Sequence, residues 1–285
     1  VLTITQIALL TLEGMTLFDS ICHSLSTIST GGFSTRNDSL ISYNAAIQWT
    51  TAIFMFLSGI NFTQLIYLFR GKPQRLFKDE ETQWYACAVG VATLFLSLGL
   101  FIHYGIEHDI SKIVEMENFF ATVERSLRKG FFMVCTAMTS TGFAASDYMT
   151  WPKLLWVFVF FLMFTGASSG STAGGIKWVR IGIFAKSALT EIKRRIHPNA
   201  VIPVRFNGRT INDSTKINIM AFMFFYIAII VVAVLIFCAS GVAFDEAIGT
   251  AVSAIGNVGV TIGQFGPSSG TYADYPTVAK WTATL

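Results

Sequence analysis

Long apolar runs divide the chain, and four of them approach the length of a membrane crossing. They cover 45–69, 84–104, 151–167 and 217–242. An α-helix needs about 20 mostly apolar residues to cross about 30 Å of hydrocarbon. Shorter apolar pieces at 1–12 and 278–285 are typical of helices of which the chain holds only a part. The pattern predicts several transmembrane helices, because the core of a soluble protein rarely contains four such runs.

Three moderately apolar segments between these runs are too short to span a membrane. They cover 18–30, 126–141 and 245–258, and each ends in small polar residues and glycine. The endings align as Ser-Thr-Ile-Ser-Thr-Gly-Gly32, Thr-Ala-Met-Thr-Ser-Thr-Gly142 and Ser-Ala-Ile-Gly-Asn-Val-Gly259, with the glycines 110 and 117 residues apart. Such a long period indicates a repeated membrane unit of crossing, half-helix, loop and crossing, as many transporters have.

The composition supports a membrane protein. Of 285 residues, 53% are hydrophobic and 13% charged, whereas soluble domains average about 25% charged residues. The chain is too apolar for a disordered protein, and its four scattered cysteines lack a CxxC spacing. The net charge of +3 gives no reason to expect a nucleic-acid partner. No catalytic pair or zinc-like grouping of histidines is visible, so we predict no enzyme.

The basic residues predict the orientation. Segments 70–83 and 177–216 hold 13 of the 20 Lys and Arg, whereas the rest of the chain holds 12 of the 17 acidic residues. The positive-inside rule places both basic segments in the cytoplasm. Each unit then starts and ends on the cytoplasmic side, so its half-helix and loop must enter the membrane from outside. The acidic stretch 107–124 is either a solvated face or a means of concentrating cations at the outer mouth.

The predicted fold class is an all-α integral membrane protein, with repeated helix–pore half-helix–helix units around a central ion pore. The units are 1–69, with an incomplete first helix, 84–195, and 217–285, with an incomplete last helix. A cytoplasmic loop, 70–83, and a cytoplasmic linker, 196–216, connect them.

The three glycine loops have the chemistry of a site for a monovalent cation. None carries a charge at its centre, and non-helical backbone at membrane depth is tolerated where it is buried or lines water. Backbone carbonyls can replace the hydration shell of such an ion, and glycine permits the necessary backbone conformations. Thr30, Ser140 and Asn257 occupy matching positions and would add oxygens or brace the loops. A single loop would suggest an ordinary turn, but three in register favour a filter.

The run that starts at Trp151 is interrupted at 166–175 and resumes at Ile176. Four glycines, three serines and a threonine in ten residues cannot hold a stable helix. The segment lacks the lysine of a phosphate-binding loop. The residue types alone are compatible with a packing break, where small residues let two helices approach.

Four motifs together resemble the Trk/Ktr/HKT superfamily of potassium uptake proteins, the TrkH type most closely. They are Ser29-Thr-Gly-Gly-Phe-Ser-Thr35, Thr139-Ser-Thr-Gly-Phe-Ala144, Gly166-Ala-Ser-Ser-Gly-Ser-Thr-Ala-Gly-Gly-Ile-Lys177 and Ile255-Gly-Asn-Val-Gly259. The resemblance implies four units around one pore, each with a key glycine, of which Gly32, Gly142 and Gly259 are present. It also implies that 166–175 is a flexible gating loop below the filter, in which Ala173 replaces a usual glycine.

The resemblance completes the set of candidate site residues. The predicted potassium-binding filter comprises Ser29, Thr30, Gly31, Gly32, Thr139, Ser140, Thr141, Gly142, Gly256, Asn257, Val258 and Gly259. The predicted gating loop comprises Gly166, Ser168, Ser169, Gly170, Ser171, Thr172, Gly174, Gly175 and Lys177. Lys177 would either repel cations or extend to the membrane surface, as lysines at helix ends often do.

These features predict potassium uptake through a selective, gated pore in the inner membrane, with potassium as the transported ion and no organic cofactor. The resemblance implies a homodimer surrounded by lipid, with a cytosolic nucleotide-binding regulatory subunit docked on 177–216. Two alternatives stay open. One is a secondary transporter whose broken helix binds an organic anion or amino acid, and the other is a membrane subunit that conducts nothing.

Overall fold

The computed structural model describes residues 1–107, 116–197, 199–200, 202–261 and 275–284. Part of the acidic stretch 107–124 and part of the predicted third unit, 262–274 and 285, therefore lie outside the described residues.

The described regular structure is helical apart from one short hairpin. In chain order the α-helices are α1 (Leu2–Leu12), α2 (Leu17–Ile28), α3 (Ala45–Ser58), α4 (Phe62–Phe69), α5 (Pro73–Lys78), α6 (Glu80–Glu107), α7 (Met116–Met138), α8 (Lys153–Phe164), α9 (Trp178–Ile196), α10 (Asp213–Ala239), α11 (Phe244–Gly256) and α12 (Thr277–Thr284). A 3-10 turn covers Tyr148–Thr150, and strands β1 (Arg205–Phe206) and β2 (Arg209–Thr210) pair antiparallel.

Helix α2 buries its polar face and exposes its apolar face. Ser20, His23 and Thr27 are fully buried, whereas Phe18 is 69% exposed and Leu25 is 57% exposed. In water this arrangement would be unfavourable, because exposed apolar surface costs free energy. In lipid the apolar face meets acyl chains, and polar groups are kept inside the protein. The arrangement therefore supports the prediction of a membrane protein.

Two helices are long and apolar enough to cross a membrane unaided. They cover Glu80–Ile106 within α6 and Asp213–Ala239, which is α10. Both present large apolar side chains on the outside of the molecule, such as Leu94 on α6 and Phe224 on α10. These two predicted crossings are confirmed by length and composition.

The predicted crossing 45–69 is formed by two helices rather than one. Helices α3 and α4 meet at a bend of 107°. The break follows from local chemistry, because Asn61 caps α4 by accepting a hydrogen bond from the backbone N–H of Thr63 at 2.9 Å. Tyr85 packs against the backbone of Gly59, where an added Cβ would overlap the phenol oxygen.

Two other boundaries differ from the prediction. The half-helix predicted at 126–141 is the end of the 23-residue helix α7. Helix α7 packs along α6 and α3, and Gly130 lies directly against Ser97, so contacts between helices hold α7 in place. After the interruption, the helix resumes at Trp178 rather than at Ile176, because Ile176 forms a parallel bridge with Thr165.

The two segments predicted to be cytoplasmic contact each other. The backbone N–H of Glu80 donates to Asn207 Oδ1 at 2.7 Å, and Asn207 Nδ2 donates to Asp79 Oδ1 at 2.9 Å. Asn207 and Gly208 form the hairpin turn, both with positive φ, as a type I′ turn requires. The hairpin was not predicted, and it joins both basic segments on one side of the molecule.

Candidate functional site

Three helices end in the same backbone geometry. Helices α2, α7 and α11 are followed by Thr30, Ser140 and Asn257 with φ of 54°, 55° and 54°. Positive φ is uncommon for residues other than glycine. Its recurrence at the three positions aligned in the sequence shows that the repeat is a repeat of backbone structure.

The hydrogen bonds at these helix ends also repeat. The carbonyls of Ser26, Thr136 and Ser253 accept from backbone N–H groups five residues later, at 2.7, 3.0 and 2.8 Å. A second bond links each positive-φ residue to the carbonyl three residues before it. This pair of bonds is the Schellman motif. It satisfies carbonyls at the helix end and turns the chain abruptly into the loop.

The glycine two residues later brings neighbouring loops together. The loops are named the first (29–32), second (139–142) and third (256–259) loop. Gly32 and Gly142 have φ of 69° and 83°. A Cβ added at Gly32 would overlap the carbonyl oxygen of Thr141, and one added at Gly142 would overlap that of Val258. The three loops therefore lie side by side in chain order.

Hydroxyl groups in the loops are used mainly for bracing. Thr30 Oγ1 donates to the carbonyl of Ser29 at 2.7 Å. Thr139 Oγ1 donates to the carbonyl of Cys135 at 2.7 Å and is hydrogen-bonded to Thr141 Oγ1 at 2.6 Å. These side-chain oxygens hold the backbone in place, which leaves backbone carbonyls as the oxygens best suited to meet an ion.

Asp19 and His23, which sequence reasoning missed, bind the chain segment that follows the first loop. The Thr35 hydroxyl donates to Asp19 at 2.6 Å, and His23 Nε2 is hydrogen-bonded to Ser34 Oγ at 3.0 Å. The Thr35 bond contributes most to lowering the pKa of Asp19. Asp19 and His23 are four residues apart and therefore lie on one face of α2. That spacing was the available signal, but nothing in the sequence shows that the returning chain passes this face.

Segment 166–175 forms a loop with a closed base. The backbone N–H of Gly166 donates to the carbonyl of Ile176 at 2.8 Å, and the N–H of Ile176 donates to the carbonyl of Phe164 at 3.1 Å. An added Cβ at Gly166 would overlap the carbonyl oxygen of Gly174. The two ends of the loop thus touch, and the predicted interruption of the helix is confirmed.

The same loop contacts all three glycine loops or their helix ends. Thr172 Oγ1 donates to the carbonyl of Ile28 at 3.2 Å, and the N–H of Gly174 donates to Ser140 Oγ at 3.0 Å. A Cβ added at Gly174 would overlap the carbonyl oxygen of Gly256. Loop 166–175 therefore lies against the C-terminal ends of α2, α7 and α11.

Lys177 is tied to the loop that it follows. Its ammonium group donates to the carbonyl of Ala173 and lies 3.5 Å from both the carbonyl oxygen and Oγ of Ser171. The side chain thus folds back onto the loop instead of extending away from it.

The comparisons with known proteins agree with this architecture. The family model TrkH, described as a cation transport protein, matches residues 2–283. The chain belongs to the TrkH family.

Curated relatives cover nearly the whole chain. The chain is 30% identical over 289 residues to the Trk system potassium uptake protein TrkH of Halomonas elongata, covering 98% of this chain and 55% of the relative. It is 31% identical over 265 residues to the Trk system potassium uptake protein TrkG of Escherichia coli K12, covering 92% of this chain and 52% of the relative. The chain thus spans about half the length of these TrkH-family relatives.

A solved structure is also similar. The crystal structure of the potassium transporter TrkH from Vibrio parahaemolyticus superposes with a TM-score of 0.86 at 28% sequence identity. The match covers 99% of this chain and 57% of that one. The predicted fold class of a helical membrane protein is confirmed.

The matching family model is described as a cation transport protein, and transport proteins of this family are not enzymes. Within the described part of the chain, no group of three His, Cys, Asp or Glu side chains is placed to hold a metal ion. The structure brings the predicted site residues together: the first, second and third loops lie side by side, and loop 166–175 packs against them. Their roles in ion selection and gating stay predictions.

Proposed function

We propose that this chain forms much of the pore of a Trk-type potassium uptake protein and moves potassium inward across the cell (inner) membrane. Membership of a family of cation transport proteins supports a cation as substrate. Relatives named as potassium uptake proteins support potassium as that cation.

One observation carries the proposal: the repeated geometry of the first, second and third loops. Three Schellman turns followed by glycines set uncharged backbone side by side. Carbonyl oxygens in such an arrangement replace the water around a monovalent cation, whereas divalent sites usually contain carboxylates. The twelve predicted filter residues are those of the three loops. The relatives extend beyond the part that this chain matches, so a further loop of that kind would complete the ring beside the exposed Gly259.

Loop 166–175 is proposed as the gate. Its contacts with Ile28, Ser140 and Gly256 support a position across the inner end of the proposed filter. Few apolar side chains anchor it, and glycines lower the cost of rearrangement. Displacement of the loop would open the path, and Lys177 would move with it because its ammonium group is bonded to Ala173.

The whole protein is proposed to work as a homodimer in the lipid bilayer, with a cytosolic nucleotide-binding regulatory subunit. The basic segment 177–216 is the proposed docking face, because it carries nine Lys and Arg and lies on the predicted cytoplasmic side. The three units 1–69, 84–195 and 217–285, joined by loop 70–83 and linker 196–216, are retained as proposed divisions of the chain.

Ion flux in proteoliposomes tests the function. The full-length protein is reconstituted, and fluxes of potassium, rubidium, sodium and choline are compared. We expect potassium and rubidium to exceed sodium, with no choline flux. Gly142→Ser should reduce this selectivity, because its side chain would overlap the backbone of Val258.

Gly241→Ser is the matched control. Gly241 has a similar φ of 92°, but no atom lies within 4 Å of an added Cβ. It should therefore keep wild-type selectivity. An unchanged potassium-to-sodium ratio in Gly142→Ser would contradict the filter assignment. Absence of cation flux from folded protein, even with loop 166–175 shortened, would favour a subunit that conducts nothing.

A further inference from the structure

The first half of loop 166–175 is held by the bend between α3 and α4. The backbone N–H of Ser168 donates to the carbonyl of Gly59 at 3.0 Å, and the N–H of Phe62 donates to the carbonyl of Gly170 at 3.3 Å. The bend exposes these backbone groups, since a straight helix would use them internally. The loop is therefore docked between the helix ends above it and the bend beside it.

One buried carboxylate adds to this docking. Glu81 lies in the first turn of α6 and is 5% exposed. Its Oε1 accepts a hydrogen bond from the backbone N–H of Ser169 and another, at 3.3 Å, from the N–H of Val179. Ser169 is within the loop, and Val179 lies in the first turn of α9, which follows the loop. A single carboxylate oxygen thus joins the loop to the first turn of α9, the helix that follows it.

Several groups around Glu81 favour its ionised form. The N-terminus of α9 carries unpaired N–H groups and a partial positive charge. Burial is the largest influence on Glu81 and opposes its charged form, as does Asp79, whereas the two backbone N–H donors and the ammonium group of Lys177 favour it. The adjacent Glu80 has different partners, since it pairs with Lys186 and accepts from the backbone N–H of Asn207. Buried acidic residues in membrane helices usually have a functional reason to be there.

We propose that Glu81 is a positioning residue that latches loop 166–175 in the position that closes the pore. The inference rests on the proposed function, because it takes this loop to be the gate. Opening must break the bond between Glu81 and Ser169. The two hydrogen bonds between the loop and the bend join backbone groups, which a substitution cannot remove. The bond from Ser169 is made to a side chain, so a substitution at Glu81 can remove it.

The carboxylate should hold the loop more firmly than an amide. Hydrogen bonds to a charged acceptor are stronger than neutral ones. Glutamine offers one neutral carbonyl oxygen of the same reach, and alanine offers none, so the Ser169 N–H would be left without an acceptor. Basal opening should therefore rise from wild type to Glu81→Gln and further to Glu81→Ala.

The test uses full-length protein in proteoliposomes and two measurements. The first is basal rubidium flux for wild type, Glu81→Gln, Glu81→Ala and the control Glu80→Gln. The second is the rate at which a thiol reagent modifies cysteine at Thr172, which is exposed on the loop, in a background without the four native cysteines. We expect flux and modification rate to rise by about tenfold in Glu81→Ala and less in Glu81→Gln.

Unchanged modification rates in both folded Glu81 variants would overturn the latch, as would an equal rise in Glu80→Gln. If loop shortening raises flux while the Glu81 variants do not, the latch is wrong and the gate survives. If no variant conducts but Glu81→Ala speeds modification, Glu81 positions the loop and the proposed pore function fails.

Discussion

At the residue scale, the site depends on backbone conformation more than on side-chain chemistry. Thr30, Ser140 and Asn257 differ in side chain but share one φ value. Ser140 has a further role, because its hydroxyl accepts the N–H of Gly174. Ser140 therefore links the proposed filter to the proposed gate through a side-chain hydrogen bond.

Ser140→Ala should raise basal rubidium flux. The substitution removes the acceptor of the Gly174 N–H, and an unpaired buried N–H costs about 1–3 kcal/mol. If that free energy is lost from the closed state, flux should rise by about fivefold or more. The measurement is flux through full-length protein without its regulatory subunit.

Ser24→Ala serves as the comparison for Ser140→Ala. Ser24 is equally buried, but its hydroxyl has no hydrogen-bond partner among the described residues. It should therefore leave flux unchanged. Equal flux in the two variants would show that the hydrogen bond from Gly174 to Ser140 does not stabilise the closed state.

Gly32→Ala should destabilise the protein more than Gly14→Ala. Both glycines have positive φ, at 69° and 100°, which costs an alanine about 1–2 kcal/mol. At Gly32 the methyl group also overlaps the carbonyl oxygen of Thr141, whereas at Gly14 no atom lies within 4 Å. The thermal midpoint in detergent should fall further for Gly32→Ala. Equal midpoints would mean that the first and second loops do not touch.

At the element scale, hydropathy is informative where helices face lipid and less so where they face protein. The runs in α6 and α10 were recognisable because large apolar side chains on both helices are exposed on the outside of the molecule. The bend at 59–61 and the length of α7 were missed. Both depend on neighbours, Tyr85 at the bend and Ser97 beside Gly130, which no local pattern identifies.

Shortening loop 166–175 by removing 168–174 should raise basal flux. The deletion removes the contacts of Thr172 and Gly174 with the half-helix ends, so the inner end of the path is left open. The potassium-to-sodium ratio should stay close to that of wild type, because the three glycine loops are intact. Unchanged flux at normal expression would leave the loop as a packing feature.

At the scale of the whole molecule, polar contacts hold the two basic segments, 70–83 and 177–216, next to each other. Asn207 of the hairpin is bonded to Asp79 and Glu80, and Lys186 of α9 pairs with Glu80. Segments 70–83 and 177–216 thus lie on the same side, as the predicted orientation requires. The Glu80–Lys186 pair itself contributes little to stability, since partly exposed ion pairs are worth about 0–1 kcal/mol.

Cysteine labelling in cells tests the orientation. In a background without native cysteines, cysteine at Arg209 should react with a membrane-impermeant thiol reagent only after the cells are opened. Cysteine at Asn37, which is exposed on the chain that returns from the first loop, should react in intact cells. The reverse pattern would overturn the positive-inside assignment.

Sequence alone was sufficient for the membrane class, the repeat and the resemblance to potassium uptake proteins. Apolar length is set by the thickness of hydrocarbon, and the loop motifs recur because each must form the same turn. It also located the interruption at 166–175, since glycine-rich segments cannot hold a helix.

The tertiary structure was needed to show which groups that are far apart in the sequence contact each other. Gly32 meets Thr141, Gly174 meets Ser140, and Glu81 meets Ser169 over a separation of 88 residues. Such contacts depend on how helices pack and bend, and one Glu in a stretch of acidic residues looks like its neighbours. The candidate latch is therefore visible only in the folded protein, because burial and two backbone donors distinguish Glu81 from Glu80.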